Sequence, residues 1–310
     1  MDSPIAILCS GQGTQHPGMF DLVAQAPESR PIFAAARDAL GGQDPQQFVQ
    51  EADPETLFSN RNGQILCCTQ ALAAWAILRP HLPGPIVLAG YSVGELAAWG
   101  CAGLLDPSAL LQLAVSRAQL MDETGGTNGG LAAIIGLSRP VVEALCRAHH
   151  AHLAIINGPD FFVVGGAKES LKIIHDEAVK AGATRATLLR VAVAAHTPLL
   201  AEASRRYGDI LVQLRLPDRP AKGIRLLSGV DGETVFDLAN GRQKLATQIS
   251  RTINWQACLD SCRAVTAETY LELGPGRALA NIARETFPQA RIHSLEDFRS
   301  PAGLIAWLKH

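Results

Sequence analysis

The sequence predicts an α/β protein: a parallel sheet covered on both faces, with a smaller α+β unit inserted into its chain. Three observations predict it. Apolar runs of strand length, Ile5-Ala6-Ile7-Leu8-Cys9 and Ile86-Val87-Leu88-Ala89, each stop at a glycine-bearing loop. They show no polar alternation, as expected of strands buried on both faces. Helical patterns separate such runs, and strands alternating with helices form parallel sheets. A different order, strand-helix-strand-strand-helix-strand, follows the stretch Gly125-Gly126-Thr127-Asn128-Gly129-Gly130.

The elements follow in order. The first strand, 5–9, ends in Ser10-Gly11-Gln12-Gly13. A helix is predicted over 64–81, where Leu66, Leu72, Trp75, Ile77 and Leu78 form an apolar face, and Pro83-Gly84-Pro85 breaks it. The strand 86–89 runs into Gly90-Tyr91-Ser92-Val93-Gly94, with a helix from Glu95 and another over 107–124. Strands at 131–137, 152–157, 161–165 and 184–191 and helices at 140–148 and 168–181 have the order of a ferredoxin-like domain. The ends of such a unit can lie close together, which suits an insertion. The expected division is a large α/β domain of 1–126 and 193–310, interrupted by a small subdomain of 127–192. His196 is then predicted to open a helix with Pro198 in its first turn. Strands follow at 224–227 and 270–273, the second ending in Gly274-Pro275-Gly276 before a helix near Arg277. An edge strand at 291–295 and a helix through Trp307 close the chain.

Composition excludes several classes. Hydrophobic residues make up 47% of the 310 and charged residues 18%, which describes a folded chain with a sizeable core. The net charge of -2, without a long basic run, gives nucleic-acid binding no electrostatic support. No apolar run reaches the ~18 residues of a membrane span, and Met1-Asp2-Ser3-Pro4 does not open a secretory signal. Seven scattered cysteines are expected to be reduced thiols of a cytoplasmic protein.

Gly90-Tyr91-Ser92-Val93-Gly94 has the form G-x-S-x-G between a strand and a helix, the context of a nucleophile elbow and of an α/β-hydrolase-like core. The tight turn exposes the serine hydroxyl and aims the free N–H groups of a helix start at the reacting carbon. Serine needs a base. His149, His150 and His152 form a solvated corner, and with Cys146 they lack the second ligand pair of a zinc site, so no metal is expected. His196 stands where the chain re-enters the large domain, and either serves as the base or faces water at a helix start. A tetrahedral intermediate needs two donors, each worth ~2.7–4 kcal/mol in the transition state. The Val93 N–H comes with the elbow, and Gln12, between Gly11 and Gly13, offers the second. That loop is a poor phosphate cradle, because the third glycine of G-x-G-x-x-G would fall at His16. Arg117 lies in the helix 107–124; facing water it is ordinary, facing inward it demands an anion, and its fork suits a carboxylate.

Taken together, these motifs resemble the malonyl-CoA:acyl-carrier-protein transacylase family, in order along nearly the whole chain. Gly11-Gln12-Gly13-Thr14-Gln15 resembles its G-Q-G-S-Q, and Gln64 the glutamine of its early helix. Gly90 through Glu95 resembles G-H-S-x-G-E, Arg117 falls at the helical arginine, and residues 131–137 resemble the first strand of the inserted domain. His196, Gln248 before Asn254-Trp255, and Gly274-Pro275-Gly276 complete the set. The resemblance implies Ser92 as nucleophile, His196 as base, the N–H groups of Gln12 and Val93 as oxyanion hole, and Arg117 as partner of the malonyl carboxylate. It implies that a main-chain carbonyl at Gln248 orients His196, and it places Gln64 and Asn157 near the substrate. It implies no permanently bound cofactor: the substrate is malonyl-CoA, and the acceptor is the prosthetic-group thiol of an acyl carrier protein.

One position departs from the family: Tyr91 stands where it usually has His. With Val93 and residues 95–100, Tyr91 is most similar to the transacylase subunit of bacterial malonate decarboxylase, whose carrier bears a dephospho-CoA derivative. The expected partners are therefore that carrier and, with it, the other decarboxylase subunits; the alternative is the fatty-acid-synthesis transacylase. Two other classes compete. A serine hydrolase would use the same elbow with water and an acid in the order Ser, Asp/Glu, His; Asp176 and Glu177 precede His196 but lie in a helix of the inserted unit. A non-catalytic assembly subunit would explain the change at Tyr91.

Overall fold

The structure, a computed structural model, describes residues 3–82 and 84–309. The readings made on Met1, Asp2 and Pro83 lie outside the described residues. The first sheet takes strands from both ends of the chain: β1 (Ile5–Cys9), β2 (Ile86–Gly90), and, beyond the insertion, β7 (Ile224–Leu226), β9 (Thr269–Leu273) and β10 (Arg291–Ser294). Their order is β10-β9-β1-β2-β7 and every pairing is parallel, with Cys9 opposite both Gly90 and Leu273. All five residues of β1 and of β2 are buried, which is why they read as unbroken apolar runs. The carboxyl ends of β9, β1 and β2 therefore deliver their loops side by side, where open parallel sheets hold their ligands.

The second sheet comprises β3 (Gly129–Ile135), β4 (His152–Ile156), β5 (Phe161–Ala167), β6 (Arg185–Leu188) and β8 (Ile253–Asn254). Its order is β6-β3-β5-β4-β8. The first four are antiparallel, and the Arg139–Ala148 and Lys168–Lys180 helices cover them over a core that includes Ile134, Val142, Phe162, Val164, Leu171 and Ile174. β8 pairs parallel with β4 and comes from outside residues 127–192, so the later part of the chain completes this sheet. A strand of two residues carries no periodicity by which its sequence would mark it.

Several boundaries shift for physical reasons. The helix expected from Gln64 begins at Asn60, because Ser59 caps it by accepting from the Asn62 N–H at 3.4 Å; it ends at Leu78, followed by a 3-10 turn. The polar first turn hid that start. The glycine-rich stretch is shorter than a linker: the Pro107–Gly125 helix runs into it and β3 leaves it at Gly129. The strand expected over 184–191 stops at Leu188. His196 does not open a helix: Pro198–Leu200 is a 3-10 turn and the helix begins at Ala201. His196 itself has φ +63°, held there by its N–H donating to the Ile249 carbonyl at 2.8 Å.

The turn from β2 into the Val93–Cys101 helix leaves no room for a methyl group. A Cβ on Gly94 would stand 2.1 Å from the Cys9 carbonyl oxygen, and one on Gly90 would stand 2.2 Å from the Glu95 backbone. Backbone cannot yield as a side chain can. Gly94→Ala is expected to lower the unfolding free energy by at least about 2 kcal/mol. Gly208→Ala, in the Ala201–Val212 helix, would meet Ala246 at an ordinary 3.5 Å and is expected to raise it by about 0.5 kcal/mol. Urea denaturation of both variants checks the pair; a Gly94→Ala protein as stable as the parent would refute this packing.

Candidate active site

Ser92 sits at the tip of the elbow with φ +57° and ψ -121°, a conformation that a non-glycine residue holds only when its surroundings enforce it. Its Oγ lies 2.8 Å from His196 Nε2. His196, 1% exposed, places Nδ1 2.5 Å from the Gln248 carbonyl oxygen. A carbonyl only accepts, so Nδ1 carries the proton and Nε2 is left to accept from the serine hydroxyl. Burial, with the Arg117 charge behind it, holds the imidazole down to about 3, against the pull of the Gln248 carbonyl. The ring is therefore a neutral base at any ordinary pH. The acids that a hydrolase triad would need are engaged elsewhere: Asp176 with His175 at 2.9 Å and Glu177 with His149 at 2.8 Å.

The loop after β1 lies against the elbow, since a Cβ on Gly11 would be 3.0 Å from the Tyr91 carbonyl and 3.6 Å from Ser92 Cβ. The backbone N–H groups of Gln12 and Val93 have no hydrogen-bond partner among the described residues, while the next amides, Gly94 and Glu95, are bonded to Tyr91 and Ser92. Two unpaired amides thus lie in the two loops that meet at the elbow, one after β1 and one after β2.

Arg117 is 1% exposed on the Pro107–Gly125 helix and faces inward, which settles the alternative left open by its sequence. It donates to Gln64 Oε1 at 2.7 Å and to Gln248 Oε1 at 3.1 Å. Both acceptors are neutral. Among the described residues no carboxylate bonds to it directly; the buried Glu95, on the far side of Gln248, acts on it only through space. Gln248 joins the parts: its Nε2 donates to the Ser92 carbonyl and to Glu95 Oε2, each at 3.0 Å. Glu95 is fully buried, and burial pushes its carboxyl up to about 7, opposed by bonds from the Gly229 N–H and Gln248.

Tyr91 packs edge-on against Trp255, with ring centroids 5.4 Å apart. It lines a largely apolar cavity of about 210 Å³ between the two sheets, with Gln12, Asn157, Phe161, Val191 and Leu279. Asn157 is 2% exposed, and among the described residues neither end of its amide makes a hydrogen bond. Ser92, His196 and Arg117 do not line this cavity; Tyr91, beside the nucleophile, does. Sequence reading missed two residues. Asn60 has no motif of its own, yet it binds Gln12 and Gln64. Glu272, in β9, accepts from Ser10 Oγ at 2.7 Å and from the Leu279 and Ala280 N–H groups, and so holds the loop after β1 to a helix start. Among the described residues, no cluster of three His, Cys, Asp or Glu side chains is arranged to hold a metal.

Residues 7–295 match the family profile described as an acyl transferase domain. Malonyl CoA-acyl carrier protein transacylase of Salmonella typhimurium is 28% identical over 311 residues, 98% of both chains, and that of Haemophilus influenzae is 28% identical over 95% of this chain and 96% of its own. The structure of the transacylase from Coxiella burnetii superposes with a TM-score of 0.91 at 26% identity, covering 100% of this chain and 98% of the other. A malonyl-transacylase in complex with a type II PKS acyl-carrier protein superposes at 0.90 and 26% identity, covering 99% of each.

His196 also links stability to pH. Its folded pKa, about 3, lies below the unfolded value of 6.5, so the unfolded chain takes the proton first on acidification. Its contribution is complete above pH 6.5 and is lost as the pH falls toward 3. The stability of the parent relative to His196→Gln is therefore expected to fall between pH 7 and pH 4, as measured by denaturant midpoints. A constant difference would contradict the buried neutral ring.

Proposed function

The chain belongs to the acyl transferase domain family, and on that premise we propose that it moves a malonyl group from malonyl-CoA to the prosthetic-group thiol of an acyl carrier protein. The observation that carries the acyl specificity is Arg117: a buried cation whose direct partners are both neutral, one side chain away from the Ser92–His196 pair.

The chemistry is ping-pong. Ser92 Oγ attacks the thioester carbonyl while His196 Nε2 takes its proton. The oxyanion receives the Gln12 and Val93 N–H groups. Collapse breaks the C–S bond, the departing CoA thiolate takes the proton from His196, and malonyl remains as an ester on Ser92. The carrier thiol then repeats the steps in reverse, giving its proton to His196 as its sulfur attacks and releasing Ser92. The Gln248 carbonyl holds the imidazole and its charged intermediate, and Arg117 pairs with the free malonyl carboxylate. Gln64 holds Arg117, while Tyr91 and Asn157 border the arm of the thioester. Hydrolysis by the same elbow is the weaker reading, since His196 meets a carbonyl and no acid.

At the finer level we propose the malonate decarboxylase type, in which the acceptor is that enzyme's own carrier and the other subunits are neighbours. Tyr91 against Trp255 at the cavity wall supports it, because the residue that departs from the family stands where the incoming arm would pass. The relatives are malonyl CoA-acyl carrier protein transacylases, which supports malonyl transfer. Buried reduced thiols fit a cytoplasmic site of action; no described helix is long and apolar enough to cross a membrane.

Brief exposure to malonyl-CoA is expected to add one malonyl mass to the intact chain and none to Ser92→Ala; no gain, or the same gain in both, would defeat the reading. Arg117→Ala is expected to lose malonyl transfer about 10- to 100-fold more than acetyl transfer, the worth of one charge-assisted pair. Equal losses would remove Arg117 from the role. Rates with the dephospho-CoA-type carrier and with a fatty-acid-type carrier decide the acceptor.

A further inference from the structure

We propose that Asn60 is a positioning residue that registers the two ends of the acyl group against each other and thereby sets the preference for a carboxylated acyl chain; this rests on the malonyl-transfer reading above. Asn60 opens the Asn60–Leu78 helix and is 8% exposed. Its Nδ2 donates to the Ala118 carbonyl at 3.2 Å and to the Asp122 carboxylate at 2.8 Å. Its Oδ1 accepts from Gln64 Nε2 at 2.8 Å and from Gln12 Nε2 at 3.1 Å.

The order of donors and acceptors follows from these contacts. A main-chain carbonyl can only accept, so the Asn60 NH2 group must face Ala118 and Asp122, and its oxygen must face the two glutamines. Gln64, donating to that oxygen, can then offer only its carbonyl to Arg117, as observed at 2.7 Å. If the Gln64 amide were reversed, its NH2 would meet the guanidinium, donor against donor. Asn60 thus keeps Arg117 held by a neutral acceptor, oriented but not neutralised, with its charge left for a substrate carboxylate. The same oxygen holds the side chain of Gln12, whose unpaired backbone N–H is the oxyanion donor of the reading above. One amide therefore spaces the cation from the oxyanion donor, across residues from three separate stretches of chain.

The test compares kcat/KM for acylation of Ser92 by malonyl-CoA and by acetyl-CoA in the full chain, alongside thermal unfolding. Asn60→Leu removes all four bonds at similar volume and is expected to lower the malonyl-to-acetyl ratio at least about tenfold. Asn60→Asp sets acceptor against acceptor at Ala118 and Asp122 and adds an anion to the network that holds Arg117, so it is expected to lower the ratio as well. Asp122→Ala, at an exposed position, is expected to fold normally and to lower the ratio about threefold. A merely structural role would depress both acyl groups alike. Equal losses in Asn60→Leu, or an unmoved ratio in Asp122→Ala, would overturn the assignment; if Asn60→Leu does not fold, Asp122→Ala decides. A parent chain that takes up no malonyl would fell the functional reading and this inference with it, whereas malonylation with unmoved ratios would fell the inference alone.

Discussion

Everything at this site depends on one residue, Gln248, which uses both its backbone and its side chain. Its carbonyl fixes the His196 tautomer, its amide oxygen accepts from Arg117, and its amide nitrogen ties the Ser92 carbonyl to the buried Glu95. Base, cation and nucleophile turn are thus referred to a single residue. A carbonyl at Nδ1 has a chemical consequence too. A carboxylate there would hold the imidazolium strongly, whereas a neutral acceptor leaves the base weakly stabilised once charged, and Arg117 nearby disfavours that charge further. A base so held gives its proton up readily to a leaving thiolate, which suits reversible exchange between thioesters.

The fold rests on a few close approaches of backbone to backbone. Gly90 and Gly94 let β2 and the following helix pass beside Cys9, and the strain this imposes on Ser92 is held by the same parallel register that aligns β1 with β2. The positive φ of His196 is a second strained point, and it too is held by a backbone bond, to Ile249. Nucleophile and base therefore owe their placement to main-chain geometry more than to side-chain packing.

Much of this was legible in the sequence, and for a physical reason. β1 and β2 are buried on both faces, so their composition is almost wholly determined, and the elbow demands small residues at fixed offsets. Ser92 and Val93 fall within such a constrained stretch and Gln12 directly after one. Asn60 and Glu272 were not legible: a buried polar residue bonded across tens of positions leaves no periodic trace in its own neighbourhood. The two-residue β8 and the loop conformation of His196 escaped for the same reason, since each is fixed by contacts distant in sequence, whereas the start of the 60–78 helix was hidden by its polar first turn. Whether Arg117 faced inward was undecidable from a helix with apolar residues on several sides.

The pairing of β8 with β4 has a mechanical side. Thr252 Oγ1 donates to the Leu153 carbonyl at 2.7 Å, and Ile253 lies opposite Ile155, so the smaller sheet is stapled to the chain only four residues after Gln248. From Asn254 the connection continues through Gly229 to Glu95 beneath the elbow. Any rocking of the small sheet against the large one would be felt at both the imidazole and the serine turn, so that the gap between the sheets and the alignment of the catalytic pair share one lever.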